Sequence, residues 1–399
     1  MEKTKGEIID WFNRYKGDVR SIESLNSQFE EILQDKSLDP KELALILYHS
    51  AKAINDGVYG ENKQKAQLTV GTHVQKLTSK MTKAINGRIS PDIKIDFTIA
   101  HTLDAFKLLE IQPPERLTEC LQKKATKFMD SFSTKNMVFM LSSTARLALP
   151  VDEKFMRAAI KKVDSFNANS YSSPTQPLEL LHALAVIDAT EEARKDDKRV
   201  HLKKTYNKIF GNNTVKQTII GACADSVSCH RRLIDSLYWF KRKDDYNYPK
   251  QGDKATMFEQ DVQKTLEQHG ADPLETKPHP ITGDRIDLKA QFGKKTFYAE
   301  CDGPTHFLKS ADDHNVVLNG HTIFQTQLSI LRNPDEPIVR VPIDVYYQNK
   351  DNTDLWENFL LEIDDKDGGG YVLSANGSLV PLEKGYNPDI TTEDTHEPD

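Results

Sequence analysis

Three carboxylates, Asp287, Glu300 and Asp302, fall close together in this chain, and His306 follows soon after. Side chains alternate along a strand, so Glu300 and Asp302 share a face if KTFYAECDG (295–303) is extended. RIDLKAQF (285–292) alternates as well, and Gly293 sits between the two runs. Pairing the runs can bring Asp287 beside the other two acids. Three carboxylates on one face are a metal-binding arrangement, since Mg²⁺ takes one or two carboxylates plus water and phosphate oxygens. Mg²⁺ or Mn²⁺ held there by Asp287, Glu300 and Asp302 would polarise a phosphoryl oxygen and activate water. Gly303-Pro304 turns the chain, so that His306 can fold back as acid, base or phosphate contact. Glu259, on the segment before, is a fourth candidate. A plainer reading stands beside this one. Asp-Gly is a common turn dipeptide, and any two acids two apart on a strand share a face.

These residues need elements to hold them. ATMFEQDVQKTLEQHG (255–270) has helical spacing and stops at Gly270. HTIFQTQLSILRN (321–333) returns to that spacing, and PIVRVPIDVYY (337–347) reads as a final strand. The order helix, strands, helix, strand predicts a compact α/β domain. Beyond it lie an acidic run, ENFLLEIDDKDGGG, and a polar tail, NPDITTEDTHEPD, whose composition predicts disorder. YNYPKQGDK (246–254) reads as the linker in front.

Everything upstream reads as helix, and it repeats. TLDAFKLLEIQPPE (102–115) lies over MLSSTARLALPVDE (140–153) at a shift of 38, which sets Leu103 on Leu141 and Leu109 on Leu147. LQKKATKF (121–128) lies over AIKKVDSF (159–166) at the same shift. A third copy starts at LLHALAVIDAT (180–190), with HLKKTYNKIF (201–210) as its second helix, and ILYHSAKAI (46–54) opens a degenerate earlier one. Two helices per unit at one period predict an α-solenoid. Each second helix carries a lysine pair: Lys123-Lys124, Lys161-Lys162 and Lys203-Lys204. These can form a phosphate ladder, but a solvated outer face is the better reading of a lysine run, and the groove of a solenoid is usually lined by the first helices. CHRRLIDSLYWFKRKDDYNYPK (229–250) mixes basic and aromatic residues; it can stack bases, or it can cap the array and lead into the linker.

Composition sets the limits. At 38% hydrophobic and 28% charged, the chain is ordinary globular material. The overall charge of −7 hides an asymmetry. Residues 1–95 carry 15 basic and 13 acidic side chains, 96–250 carry 25 and 19, and 251–399 carry 13 and 28. The mildly basic middle suits phosphates; the acidic end needs a metal or local positive groups to do so. No run of apolar residues is long enough to span a membrane. MEKTKGEIIDWF mixes acids with lysines and predicts neither a secretory signal nor a transit peptide, so the expected address is cytoplasmic. Cys120, Cys223, Cys229 and Cys301 are scattered, and packed free thiols explain them better than a metal site at Cys229-His230.

The segment IDLKAQFGKKTFYAECDGPTHFL (286–308), above all its core ECDGPTHFL, resembles the RAP domain, a family marked by an aspartate on one strand and E-x-D-G-P-x-H-F on the next. Asp287, Glu300, Asp302 and His306 fall on that motif. Asn-Gly-His-Thr at 319–322, the helix after it and VRVPIDVYY resemble the family's closing elements, so the likeness covers about 253–348. It implies a PD-(D/E)xK fold, like that of very-short-patch-repair endonucleases. It also implies a role in RNA metabolism, often behind octotricopeptide-like repeats of the period found here. Three departures matter. Asp302 stands where such nucleases usually place a lysine that helps activate water. The closing helix reads Ile323-Phe324-Gln325-Thr326-Gln327 where relatives are rich in Lys and Arg. The last strand ends Val345-Tyr346-Tyr347 without the usual Glu-Trp. These departures imply weak nucleic-acid contact by this domain.

The fold class expected is therefore α + α/β: an N-terminal α-solenoid of two-helix repeats, then a small restriction-endonuclease-like α/β domain. The expected divisions are a helical N-terminal part (1–95), the repeat array (96–248), the RAP-like domain (253–348) and an acidic extension (349–399), disordered at its end. Three functions compete. The first is an RNA-binding protein whose array holds single-stranded RNA and whose RAP-like domain aids processing or protects a transcript. The second is a metal-dependent endoribonuclease, weak for want of the lysine, that uses Asp287, Glu300 and Asp302 with His306. The third is a non-catalytic interaction protein.

Overall fold

A computed structural model describes residues 26–382 apart from 27–28, 31–32, 35–37, 56–62, 88–92, 195–201, 224–225, 241–254, 280–284 and 312–315. The chain divides into two compact units: Met1–Ser172 with Lys309–His314, and Ser173–Leu308 with Asn315–Asp399.

In the first unit the helices are α1 (Pro40–Asn55), α2 (Lys63–Asn86), α3 (Ile95–Leu109), α4 (Glu115–Phe128), α5 (Thr134–Arg146) and α6 (Glu153–Val163). Apolar residues at three- and four-residue spacing explain them: Leu117, Leu121 and Ala125 bury one side of α4, and Phe155, Met156, Ala159 and Val163 one side of α6. α1 packs on α3 and α3 on α5, while α2 packs on α4 and α4 on α6. Leu103 and Leu141 are both buried. Glu110 (φ 58°) and Ala148 (φ 48°) both adopt the left-handed conformation just after a first helix. That conformation costs about 1–2 kcal/mol for a residue with a Cβ, so the same turn is built twice at the same spacing. Polar side chains tie neighbouring pairs. Gln122 donates to the Pro150 carbonyl (2.7 Å) and accepts from the Asp152 N–H (2.8 Å); Asn136 donates to Asp96 (2.7 Å). A short strand, β1 (Ile111–Gln112), pairs in parallel with Lys309 and Ser310.

The second unit opens with α7 (Gln176–Ala193), α8 (Lys203–Gly211), α9 (Asn213–Cys223) and α10 (Val227–Trp239). α7 is apolar on nearly every side because it packs on α10 and also on α12 (Gly320–Arg332). Leu181, in the third repeat copy, is buried in it. After α11 (Met257–Gln268) come the strands β2 (Asp272–Leu274), β3 (Leu288–Phe292), β4 (Lys295–Asp302), β5 (Phe307–Ser310) and β6 (Val316–Leu318), then α12, β7 (Ile338–Pro342), α13 (Ile343–Asn349), α14 (Thr353–Asp364), β8 (Gly370–Leu373) and β9 (Leu379–Pro381). Six of them form one mixed sheet in the order β2-β3-β4-β7-β8-β9. β4 and β7 run parallel, joined through α12, with Glu300 opposite Arg340 and Asp302 opposite Pro342. Val262, Phe297, Val339, Val341, Trp356 and Phe359 pack one face of the sheet against α11 and α14. α12 lies against β7 and β8.

Several expectations need correction. Residues 343–347 are not strand: β7 stops at Pro342, which caps α13, and Val345 and Tyr346 bury one side of that helix. Proline ends the ladder because it has no N–H, yet its fixed φ suits a helix entry. Residues 350–382 are not an extension. α14 buries Leu355, Trp356, Phe359, Leu360 and Ile363, and β8 and β9 complete the sheet. The acidic residues between them misled, because they occupy the solvent side of a helix whose other side is core. Gly368 (φ +86°) makes the turn into β8; a Cβ there would lie 2.3 Å from the Pro334 carbonyl oxygen. β2 carried no strand pattern that the sequence reading caught. Asp287 lies at a bend just before β3 rather than on it. The third helix pair falls in the second unit, so the compact division lies at Ser172–Ser173. The linker at 246–254 and the tail beyond residue 382 lie outside the described residues.

Candidate functional site

β4 carries Glu300 and Asp302 into the sheet and ends at the Gly303-Pro304 turn, after which a short 3-10 turn (Pro304–His306) returns His306 toward it. Asp302 is buried. Its Oδ1 accepts a hydrogen bond from Nη1 of Arg340, itself buried, and lies 3.0 Å from His306 Nδ1. Arg340 Nε donates to Thr326 Oγ1 (2.6 Å) on α12. His306 is 41% exposed, so its ring spans from the buried carboxylate to the surface. Burial works against the Arg340 charge, but Asp302, Glu300 and Asp287 outweigh it and push the guanidinium higher still. Asp287 and Glu259 stand on a second side of this cluster. Asp287 Oδ2 accepts the Cys301 backbone N–H (2.8 Å), and Glu259 pairs with Arg285 (2.8 Å). Burial pushes Asp287 up to about 6; the Cys301 N–H and Arg340 pull it down, and Glu259 and Asp302 push it up. Burial, and then these same acids, drive the Cys301 thiol far up, so it is an inert packed side chain.

The structure thus draws the expected residues into one neighbourhood, but with a cation that the sequence reading missed. Arg340 was legible: it is the lone charge in IVRVP, a strand otherwise wholly apolar, and a buried charge needs a partner. The residues as they stand do not fit a divalent ion held by Asp287, Glu300 and Asp302. Arg340 already neutralises Asp302, and Asp287 is engaged by a backbone N–H. Among the described residues no three His, Cys, Asp or Glu side chains converge to hold a metal. Asp302 Oδ2 is buried without a hydrogen-bond partner among the described residues, but one oxygen is not a cation site. What the arrangement can do is fix the ring of His306 through its Nδ1.

The first unit carries a different kind of site. Tyr48 on α1 meets the His101 ring edge-on at 4.9 Å, and also meets His49. His101 stacks on Phe97 at 3.7 Å, one helical turn before it on α3. On α5 the Lys135 ammonium sits 5.6 Å over the Phe139 ring. Phe97 and His101 correspond to Lys135 and Phe139 at the shift of 38. Burial lowers the His101 pKa; the bond to the Phe97 carbonyl and then Asp104 oppose this, and Lys135 lowers it further. Tyr48, His49, Phe97, His101 and Phe139 are all half-buried, and Lys135 is exposed. A stripe of rings and one cation therefore runs across three first helices. The sequence reading missed it, although a search for rings at the repeat spacing would find His101 and Phe139.

Other expectations place less well. Lys123, Lys161, Lys203 and Lys204 are exposed on second helices, and Lys162 donates to the Asp130 carbonyl (2.8 Å). Trp239 and Phe240 are buried, with the indole N–H on Asp188 (2.9 Å), so they serve the core rather than a bound base. Cys223 is buried, which first of all raises its thiol to about 11. Among the described residues no helix is long and apolar enough to cross a membrane. The chain is a helical N-terminal region followed by a mixed α/β region around a six-stranded sheet. Searches of family models and of curated proteins find no match to it.

Proposed function

We propose that this protein binds single-stranded RNA along an α-solenoid of two-helix repeats, and that its RAP-like, PD-(D/E)xK-type domain assists by protecting or presenting the transcript rather than by cutting it. The stripe Tyr48–His101–Phe97–Lys135–Phe139 carries the reading. Every base has a π-face, so half-buried rings set along successive helices can hold single strands without reading sequence, and a cation among them meets the phosphates. First helices supply the stripe, as expected for the groove of a solenoid. The likeness of ECDGPTHFL to the RAP domain supports the RNA context. The buried Arg340–Asp302 pair supports a binding role for that domain, because it fills the place that a metal would need.

Fluorescence anisotropy with a labelled single-stranded RNA tests this. The full chain should bind, and Phe97→Ala/Phe139→Ala should weaken binding by about tenfold or more, since stacking contributes about 1–3 kcal/mol per base. The RNA should stay intact in Mn²⁺ as in EDTA. Unchanged affinity in the folded double variant sinks the stripe. Cleavage that needs Mn²⁺ and disappears in Asp287→Asn would make the protein an endoribonuclease instead.

A further inference from the structure

A cavity of about 280 Å³ opens in the second unit where the 275–279 segment, β3, β4 and the end of α12 meet. Its wall holds Lys277, Lys289 and Arg332, together with His279 and Tyr298; Glu275 is its one carboxylate. The region around it, 251–399, carries 13 basic and 28 acidic side chains, so three cations on one small wall run against the local trend. They are also placed. Lys289 sits over the Tyr298 ring at 5.1 Å, fixed by the β3–β4 register that sets the two residues opposite one another. Arg332 lies over Tyr238 at 5.3 Å, with Asp235 at 3.8 Å behind it, and His279 meets the edge of the same Tyr238 ring. Lys277 pairs with Glu275 at 3.6 Å, but both are more than three-quarters exposed, and such a pair yields readily to a stronger partner.

We propose that this cavity binds a nucleoside phosphate. Lys277 and Lys289 would meet the phosphate, Arg332, whose side chain is almost wholly buried against Asp235, would add positive charge from within the wall, and the His279 and Tyr298 rings would flank the base. Its volume is near the lower end of the range of about 300–1,000 Å³ for small-molecule pockets. That is more room than an inorganic anion needs, and the ring surfaces have no use for one. The choice of ligand rests on the RNA-binding reading, but the site is separate from the stripe. The nucleotide can arrive free or as the 5′-terminal residue of an RNA.

Isothermal titration calorimetry on the full chain tests it, with uridine 5′-monophosphate, uridine, inorganic phosphate, and one oligoribonucleotide with and without a 5′-phosphate. The monophosphate should bind at least about tenfold more tightly than uridine or phosphate, and Lys289→Glu should lose at least tenfold, the size of one charge-assisted contact. Lys277→Glu, at an exposed position, should lose affinity as well, and it guards against a folding defect. A gain from the 5′-phosphate on the oligonucleotide would identify an RNA end as the source; binding of the free nucleotide alone would identify a mononucleotide. No binding of the monophosphate, equal binding of phosphate alone, or full affinity in both variants overturns the proposal. Phe97→Ala/Phe139→Ala should leave monophosphate binding unchanged. Monophosphate binding without RNA affinity would overturn the RNA reading alone, and RNA affinity without monophosphate binding would overturn this pocket alone.

Discussion

In the first unit most buried polar side chains are neutral, and Gln122 among them bonds backbone at helix ends, to Pro150 and Asp152; Asp104, paired with Lys107, is the buried charge there among the described residues. The second unit adds buried charge pairs to its neutral groups: Asp302 with Arg340, Glu259 with Arg285. Neutral bonds at helix ends fix how one helix pair meets the next, and with it the spacing of the ring stripe. Buried charges are costly to desolvate, so they hold only in one geometry, and they fix a sheet and the residues that project from it. On the proposed reading this divides labour between a helical surface that binds and a compact body whose acidic motif is chiefly architectural.

The largest effect should come from breaking the charged pair. Arg340→Met leaves Asp302 buried with only His306 beside it, and should cost about 3–5 kcal/mol in urea unfolding. Adding Asp302→Asn should restore much of that loss. A loss below 1 kcal/mol for the single variant would show that Asp302 is not held as described.

Asp287 should give a smaller effect of opposite sign. Its carboxyl titrates at about 6 when folded, above its ordinary value of 3.8. The folded chain then keeps a proton that the unfolded chain has shed. Stability from this group is full below the ordinary value and is lost as pH rises through about 6. Asp287→Asn keeps an acceptor for the Cys301 N–H, so it should stabilise the protein by about 1–3 kcal/mol at pH 7.5 and by much less at pH 4. Thermal melts of both proteins at the two pH values measure this; a destabilised variant at pH 7.5 would mean that the ionised carboxylate has a favourable partner.

Within the first unit, Gln122→Ala removes two bonds between consecutive pairs and should cost about 1–2 kcal/mol. Because the stripe depends on how α3 meets α5, RNA affinity should fall along with stability. Stability lost with affinity intact would separate the joint from the stripe. The smallest effect belongs to Lys135→Ala. It should lower the slope of log affinity against log salt by about 0.7, the contribution of one phosphate contact on a single strand. An unchanged slope would leave Lys135 as support for Phe139 only.

The sequence by itself determined the helices, the shift of 38 that sets Leu103 on Leu141, and the strand pair β3–β4, whose second strand carries Glu300 and Asp302. Each of these is local: a period of 3.6 or 2, or a recurrence at fixed separation, shows in the order of residues. Local pattern failed where a neighbour decided the outcome. Val345 and Tyr346 look like strand residues, yet Pro342 ends β7 and the chain turns into helix. The acidic run at 357–367 hides the apolar side of α14, which only the sheet reveals as core. The candidate sites divide in the same way. Asp287, Glu300, Asp302 and His306 were legible as a motif, but their chemistry was not, because Arg340 lies 38 positions beyond Asp302 and reaches it only through the β4–β7 pairing. The stripe was half legible, since His101 and Phe139 keep the repeat spacing while Tyr48 joins them only where α1 packs on α3. Sequence order records what a residue's near neighbours require of it; which distant charge or ring completes a site is set by the packing of whole elements, and that packing alone decided both.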